Sequence, residues 1–106
     1  MKLLTKEIEA KLPPLYSTEE TPTSEKIAIV KFFTPRNMWI WYGVEYDPKE
    51  KLFFGLVYGI EKEWGYFSLD ELEGLNSQPS RTAHVERDIS FKPTKISDIE
   101  RREHDG

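Results

Sequence analysis

The chain contains no cysteine. That absence excludes disulfides, thiolate metal centres and cysteine nucleophiles together. In a domain this small it also favours the cytoplasm over an oxidising compartment. Histidine is scarce, with only His84 and His104, so imidazole has few places to act as base or ligand. No uninterrupted apolar run approaches the roughly 20 residues needed to cross a bilayer. The opening Met1-Lys2-Leu3-Leu4-Thr5-Lys6-Glu7 acquires charge too early for a signal-peptide core. These features predict a cytoplasmic, full-length protein without membrane contact. Gly55, Gly59 and Gly65 are too widely spaced for a phosphate-cradling loop, and no suitable helix follows them. A nucleophile elbow is missing as well.

Charge of one dominant sign is also lacking. Fifteen lysines and arginines are mixed among 19 aspartates and glutamates, for a net charge of -4 and a pI of about 5.2. A dedicated nucleic-acid binder would carry a basic face, and a nucleic-acid mimic would need a denser acidic field. With 106 residues, 38% of them hydrophobic, the chain suits one domain with one core. No internal repeat or low-complexity segment interrupts it.

What the chain does have is aromatic density. Residues 32–67 hold all three tryptophans, four of the five tyrosines and five of the six phenylalanines. Aromatic rings bury large areas and also form rigid contact surfaces. Thr5 is placed to cap a short helix through about Leu12, with Leu4, Ile8 and Leu12 on one face. Pro13-Pro14 stops it, and Ser17 to Ser24 reads as an exposed loop.

Lys26 to Phe33 reads as a strand, and Pro35-Arg36-Asn37 as a turn. In a second strand, Met38 to Tyr46, alternation puts Trp39, Trp41 and Gly43 on one face. Met38, Ile40, Tyr42, Val44 and Tyr46 fall on the other, the expected core side. After a turn at Asp47–Lys51, Leu52 to Ile60 forms a third strand. Gly55 and Gly59 there leave a shallow groove in which a neighbouring tryptophan ring could lie. Trp64 to Phe67 makes a fourth strand.

Ser68-Leu69-Asp70-Glu71 matches a capping box at a helix start, with Gly74 as its stop. Leu75 to Ala83 is polar and irregular, and His84 to Phe91 returns to strand alternation. Thr94 is placed to cap a last helical turn carrying Ile96 and Ile99. Residues 100–106 hold no apolar side chain and are expected to fray, leaving 1–99 as the domain. Short connections imply an α+β fold: an antiparallel meander sheet of about five strands with short helices packed on one side.

Three constellations could carry chemistry. His84, Glu86 and Asp88 point the same way from a strand and have ligand types that suit a divalent metal. Any charged edge strand alternates like this, and a solvated strand face is the simpler reading. Glu61, Glu63 and Asp70 could pair as acid and base, but they sit in turn and cap positions. Trp39, Trp41, Phe53 and Trp64 could form a stacking face for single-stranded nucleic acid, with Lys31, Arg36, Lys51 and Lys62 as scattered cations. The same rings could instead be core, or a patch for a protein partner.

Several segments are distinctive in order and spacing. They are Leu12-Pro13-Pro14-Leu15-Tyr16, Val30-Lys31-Phe32-Phe33-Thr34-Pro35, Trp39-Ile40-Trp41-Tyr42 and Phe53-Phe54-Gly55-Leu56-Val57-Tyr58-Gly59. Glu63-Trp64-Gly65-Tyr66-Phe67-Ser68 and Val85-Glu86-Arg87-Asp88 with Phe91-Lys92-Pro93 complete the set. Together, over residues 1 to about 99, they resemble the bacterial domain-of-unknown-function family 2958. The resemblance implies a setting on plasmids, conjugative elements and phage-like islands. It supplies no catalytic residues and no cofactor.

The expectation is therefore a non-enzymatic accessory protein that binds a host-defence or DNA-processing protein, in the manner of an anti-CRISPR inhibitor. Trp39, Trp41 and Trp64 would be its anchors, and Glu61 and Glu63 would steer a basic partner. Binding of single-stranded nucleic acid or a nucleotide is the alternative, disfavoured by the acidic charge. A metal-dependent hydrolase built on His84, Glu86 and Asp88 ranks third.

Overall fold

Thr5 caps the first helix, α1 (Lys6–Lys11), by accepting a hydrogen bond from the Ile8 amide at 3.2 Å. Pro13 ends it and offers its carbonyl to the Tyr46 amide at 2.9 Å, which ties the following loop to the sheet. These details come from a computed structural model that describes residues 1–77 and 84–104.

After a 3-10 turn at Thr23–Glu25 the chain forms β1 (Ile27–Ala28), β2 (Val30–Phe33), β3 (Ile40–Asp47), β4 (Leu52–Tyr58) and β5 (Lys62–Ser68). Helix α2 (Leu69–Asn76) follows, then β6 (Glu86–Arg87), β7 (Thr94–Lys95) and α3 (Ile96–Ile99). A wider, π-type turn, Glu100–His104, extends α3. The main sheet is antiparallel with strand order β5-β4-β3-β2-β6, and β1 pairs with β7 in a separate two-stranded ribbon. The fold is thus α+β and dominated by its five-stranded sheet. Strands β2 to β5 form a meander, and β6 closes the far edge against β2.

Both faces of the sheet are covered. Leu3, Leu4, Leu12, Val30, Phe32, Trp41, Tyr46, Phe53, Phe67, Leu69, Leu72 and Val85 form the cluster on the first face. Ala28, Tyr42, Val44, Leu56, Ile96 and Ile99 form the cluster on the second. The helices therefore do not all lie on one side. Helix α2 packs on the first face through Leu69 and Leu72, and α3 on the second through Ile96 and Ile99.

Tyr46 departs from the simple alternation. The β3–β4 register shifts between Gly43 and Glu45, so one extra residue enters β3 and the pleat changes phase. Tyr46 consequently joins Trp41 and Phe53 on the first face, while Tyr42 and Val44 stay on the second.

Other boundaries also differ from the sequence pattern. The expected strand 26–33 is broken at Ile29, whose amide bonds the Gly43 carbonyl at 2.8 Å. The expected strand 84–91 shrinks to Glu86–Arg87. Ser68 does accept from the Glu71 amide at 3.1 Å, but Gly74 lies inside α2 rather than after it. The helix reaches Asn76, whose side chain bonds both the amide and carbonyl of Val85. Thr94 lies in β7, and α3 has no side-chain cap. Most of the irregular stretch 75–83 falls outside the described residues, as do positions 105 and 106 of the expected frayed end. Residues 100–104 are helical, and His104 packs on the sheet.

Candidate interaction surface

The three tryptophans do not share a face. Trp39 and Trp41 lie side by side, tilted by 31° with centroids 5.8 Å apart, on the first face. Trp41 is 8% exposed and belongs to the core. Trp39 lies over Gly59, where an added Cβ would sit 2.4 Å from the indole Cζ3. That is the groove expected from Gly59. Trp64 pairs opposite Leu56 and stands on the second face beside Phe54, 5.7 Å away. Glu61 and Glu63 are exposed in the turn before β5 and within it. Asp70 is a β5 strand length further along, roughly 20 Å, where it faces Lys51 at 3.6 Å. The three carboxylates are not one acid–base cluster.

The proposed stacking face is also divided. Phe53 is fully buried. Lys31 faces Asp88 at 3.7 Å, Lys51 is engaged as above, and Lys62 is paired with Glu100. Arg36 is exposed in the β2–β3 turn. His84 and Glu86 approach to 3.9 Å, but Asp88 is turned to Lys31. Among the described residues no three His, Asp or Glu side chains are grouped to hold a metal.

A different aromatic group emerges on the second face at the β5 edge. Phe54 lies beside Tyr66 at 5.2 Å, and Tyr66 beside Tyr16 at 6.4 Å. With Trp64 they form a row, Trp64–Phe54–Tyr66–Tyr16. Its two tyrosines are open, Tyr16 at 60% and Tyr66 at 53% exposure.

Tyr16 is held there against its own backbone preference, at φ 71. L residues enter that region uncommonly. Met38 and Lys51 do so in the β2–β3 and β3–β4 connections, and at Tyr16 the conformation is held from outside its own loop. The constraint comes from Glu45, buried in β3 at 3% exposure. Its carboxylate accepts from the Tyr16 amide at 2.7 Å and the Thr18 amide at 3.0 Å, and also from the Thr18 hydroxyl. Lys26, buried too, donates to the carbonyl and hydroxyl of Thr18. A buried carboxylate with several donors is stable only while all remain in place. The loop is therefore bolted to the sheet. The Tyr66 phenol is held above its ordinary pKa, chiefly by the Tyr16 side chain, then by desolvation and by the charges of Glu45 and Glu19.

A second polar group lies elsewhere on the same face. The His104 Nε2 is 3.0 Å from the Tyr42 hydroxyl, and its ring stacks on Tyr58. Burial raises the Tyr42 pKa far above the usual phenol range and lowers that of His104. The contact thus joins two neutral groups at pH 7, and the His104 tautomer sets which of them donates. A cleft of about 230 Å³ opens beside them, lined by Lys31, Asp88, Phe91, Arg102 and Glu103 among others.

Over residues 3–100 the chain matches the family described as a protein of unknown function, DUF2958. The chain belongs to this family. Neither a curated protein nor a solved structure matches it. The matched region includes the whole aromatic row and Glu45, and stops short of His104. Among the described residues, no helix of this family member is long and apolar enough to cross a membrane.

Tyr16, Phe54, Tyr66 and Glu45 are the residues that sequence reasoning passed over. Phe54 and Tyr66 could have been found by aligning Gly55 against Gly65 across the β4–β5 hairpin, which is the observed register. Tyr16 had no such signal, because its partner Glu45 is 29 residues away.

Proposed function

We propose that this DUF2958 protein is a non-enzymatic binding module that docks a protein partner on the row Trp64–Phe54–Tyr66–Tyr16. One observation carries the reading: an exposed tyrosine kept in a strained conformation by a buried carboxylate. Strain of this kind persists where a side chain must be presented in one orientation. A rigid aromatic pair loses little entropy on binding, which is why tyrosine and tryptophan dominate contact hot spots.

The partner's chemistry follows from the surroundings. Glu19 is exposed near the tyrosine end of the row, and Glu61 is exposed in the turn that leads into β5. Glu63, opposite Val57, projects from the first face instead. Carboxylates beside rings favour arginine and lysine, which stack on aromatic faces and pair with acids. A basic protein surface fits, and a nucleic-acid-handling enzyme of host or element offers one. An accessory role on mobile elements, counter-defence included, would act by covering such a groove. Trp41 is not an anchor in this reading, and Trp64 takes that part with the tyrosines.

The test places a photo-crosslinking residue at Tyr66 in cells. The expected result is one dominant adduct to a protein other than a second copy of this chain, lost when Tyr16→Ala is added to a chain that remains folded. The purified partner should then bind more weakly as salt rises and with Glu19→Gln/Glu61→Gln. An adduct pattern indifferent to Tyr16 would overturn the reading. Salt-dependent quenching of Trp64 by an oligonucleotide, without a protein adduct, would favour the nucleic-acid alternative.

A further inference from the structure

Strand β5 is a sheet edge whose backbone phase can be read from its two ends. Leu69 donates to the Lys51 carbonyl at 2.9 Å, and Gly59 donates to the Glu61 carbonyl at 3.1 Å. Both belong to the same antiparallel register as the β4–β5 pairing. Hydrogen-bonded and open pairs alternate along such a ladder. Glu63, Gly65 and Phe67 therefore bond inward to β4. The amides and carbonyls of Lys62, Trp64 and Tyr66 point outward, and among the described residues no backbone partner meets them. The Ser68 carbonyl, at the N-cap of α2, instead accepts that helix's first bond. The edge runs for seven residues without proline. The opposite edge, β6, is only two residues long.

Long, proline-free edges with free outward groups take up another strand unless something prevents it. Two charges near one end, Lys62 and Glu63, are the visible obstacle, and they settle the register. An antiparallel pairing of β5 with itself about Gly65 sets Trp64 opposite Tyr66 of the second copy. Glu63 then falls opposite Phe67, and Lys62 opposite Ser68. No like charges meet. Lys62 is already paired with Glu100 of its own chain, so it brings no unmatched charge to the seam.

In this arrangement the residues with outward groups oppose one another, so Trp64 and Tyr66 exchange bonds in both directions. Their rings extend the Phe54–Trp64 and Phe54–Tyr66 contacts across the two-fold axis. Gly65 faces Gly65. With no side chain on either residue, this central pair puts no bulk between the two strands.

We infer that the protein is a two-fold dimer in which β5 pairs with β5 of a second copy to make one continuous sheet. This goes beyond the docking reading and does not depend on it. The dimer uses backbone groups in the plane of the sheet, whereas the partner would use rings on its face.

The chain's lack of cysteine permits a clean test. In the proposed register the two Gly65 Cα atoms are about 4.5 Å apart, within the range of about 4.4–6.8 Å that a disulfide spans. Gly65→Cys should cross-link rapidly under mild oxidation. Ile89→Cys, exposed and beyond the other edge of the sheet, should stay largely reduced. Light-scattering mass of the unaltered protein should be that of a dimer, and Tyr66→Pro, which removes an outward amide, should yield folded monomer. A monomeric mass for the unaltered protein at every attainable concentration overturns the inference whatever the cysteine variants do. Equal cross-linking at positions 65 and 89 overturns the register and the inference with it.

Discussion

Glu45 and Tyr16 are joined across 29 positions of sequence by a 2.7 Å hydrogen bond from the Tyr16 amide to the buried Glu45 carboxylate. The bond holds the one exposed tyrosine whose backbone is left-handed. Everything proposed for the aromatic row depends on that attachment.

Replacing Glu45 with alanine should therefore do two things. It strands the amides of Tyr16 and Thr18 and unseats Thr18, whose carbonyl and hydroxyl hold the buried Lys26, at a cost of about 2–3 kcal/mol. It also frees the loop around Ser17 to Thr21. Urea unfolding reads the first effect, and faster proteolytic cleavage of that loop reads the second. Unchanged cleavage would show that the loop is held by something else.

The glycines of the β4–β5 hairpin should respond very differently to alanine. At Gly55 the new Cβ would lie 1.8 Å from the Tyr42 carbonyl oxygen, which is backbone and cannot yield cheaply. At Gly59 it would displace the Trp39 indole. At Gly65 it meets open space. The expected order of destabilisation is Gly55→Ala at about 3 kcal/mol or more, Gly59→Ala at about 1–3 kcal/mol, and Gly65→Ala within about 0.5 kcal/mol. Equilibrium unfolding of the three variants checks it.

Trp41 and Tyr66 should separate folding from binding. Trp41→Ala opens a cavity in the first-face core and should cost about 3–5 kcal/mol. Tyr66→Ala removes a half-exposed ring and should cost about 1 kcal/mol or less while abolishing partner capture. Acrylamide should quench Trp64 more readily than Trp41, measured with single-tryptophan variants. Equal losses of stability in the two alanine variants would remove the distinction between core and surface.

His104 gives the fold a pH dependence of definite sign. Burial chiefly, with Lys31 and Lys62 in support and Glu103 opposing, lowers its pKa from 6.5. The unfolded chain then binds the proton more readily than the folded one, so stability rises with pH between the two values. The contribution is complete above about 6.5 and is lost as pH falls through the folded value. Between pH 7 and 5 the urea midpoint should drop more steeply for the unaltered chain than for His104→Phe, which keeps the stack on Tyr58. Parallel curves would mean that His104 does not couple to folding. Carboxylates titrate in both proteins and cancel in the comparison.

Local chemistry was legible wherever neighbouring residues were enough to impose it. The Thr5 and Ser68 caps, the stop at Pro13-Pro14 and the three hairpins follow from hydrogen-bond accounting and turn geometry within a few residues. Gly59 was readable as a seat for a tryptophan because only the absence of a side chain was needed. Gly74 was misleading. A glycine costs a short helix little when Leu75 and Asn76 beyond it find tertiary partners.

The order of the meander strands β2 to β5 and the sheet class were thus determined by the amino-acid sequence itself, through interactions of short range, whereas the β1–β7 ribbon was not. Tertiary structure alone decided which face each aromatic occupies. A single inserted residue near Gly43 reverses the pleat for Tyr46, and with apolar clusters on both sides of the sheet the alternation carries no label for inside or outside. It alone also joined Tyr16 to Glu45 and seated His104 on Tyr58. Those contacts link segments that are far apart along the chain, and they form only once the sheet exists to hold both partners.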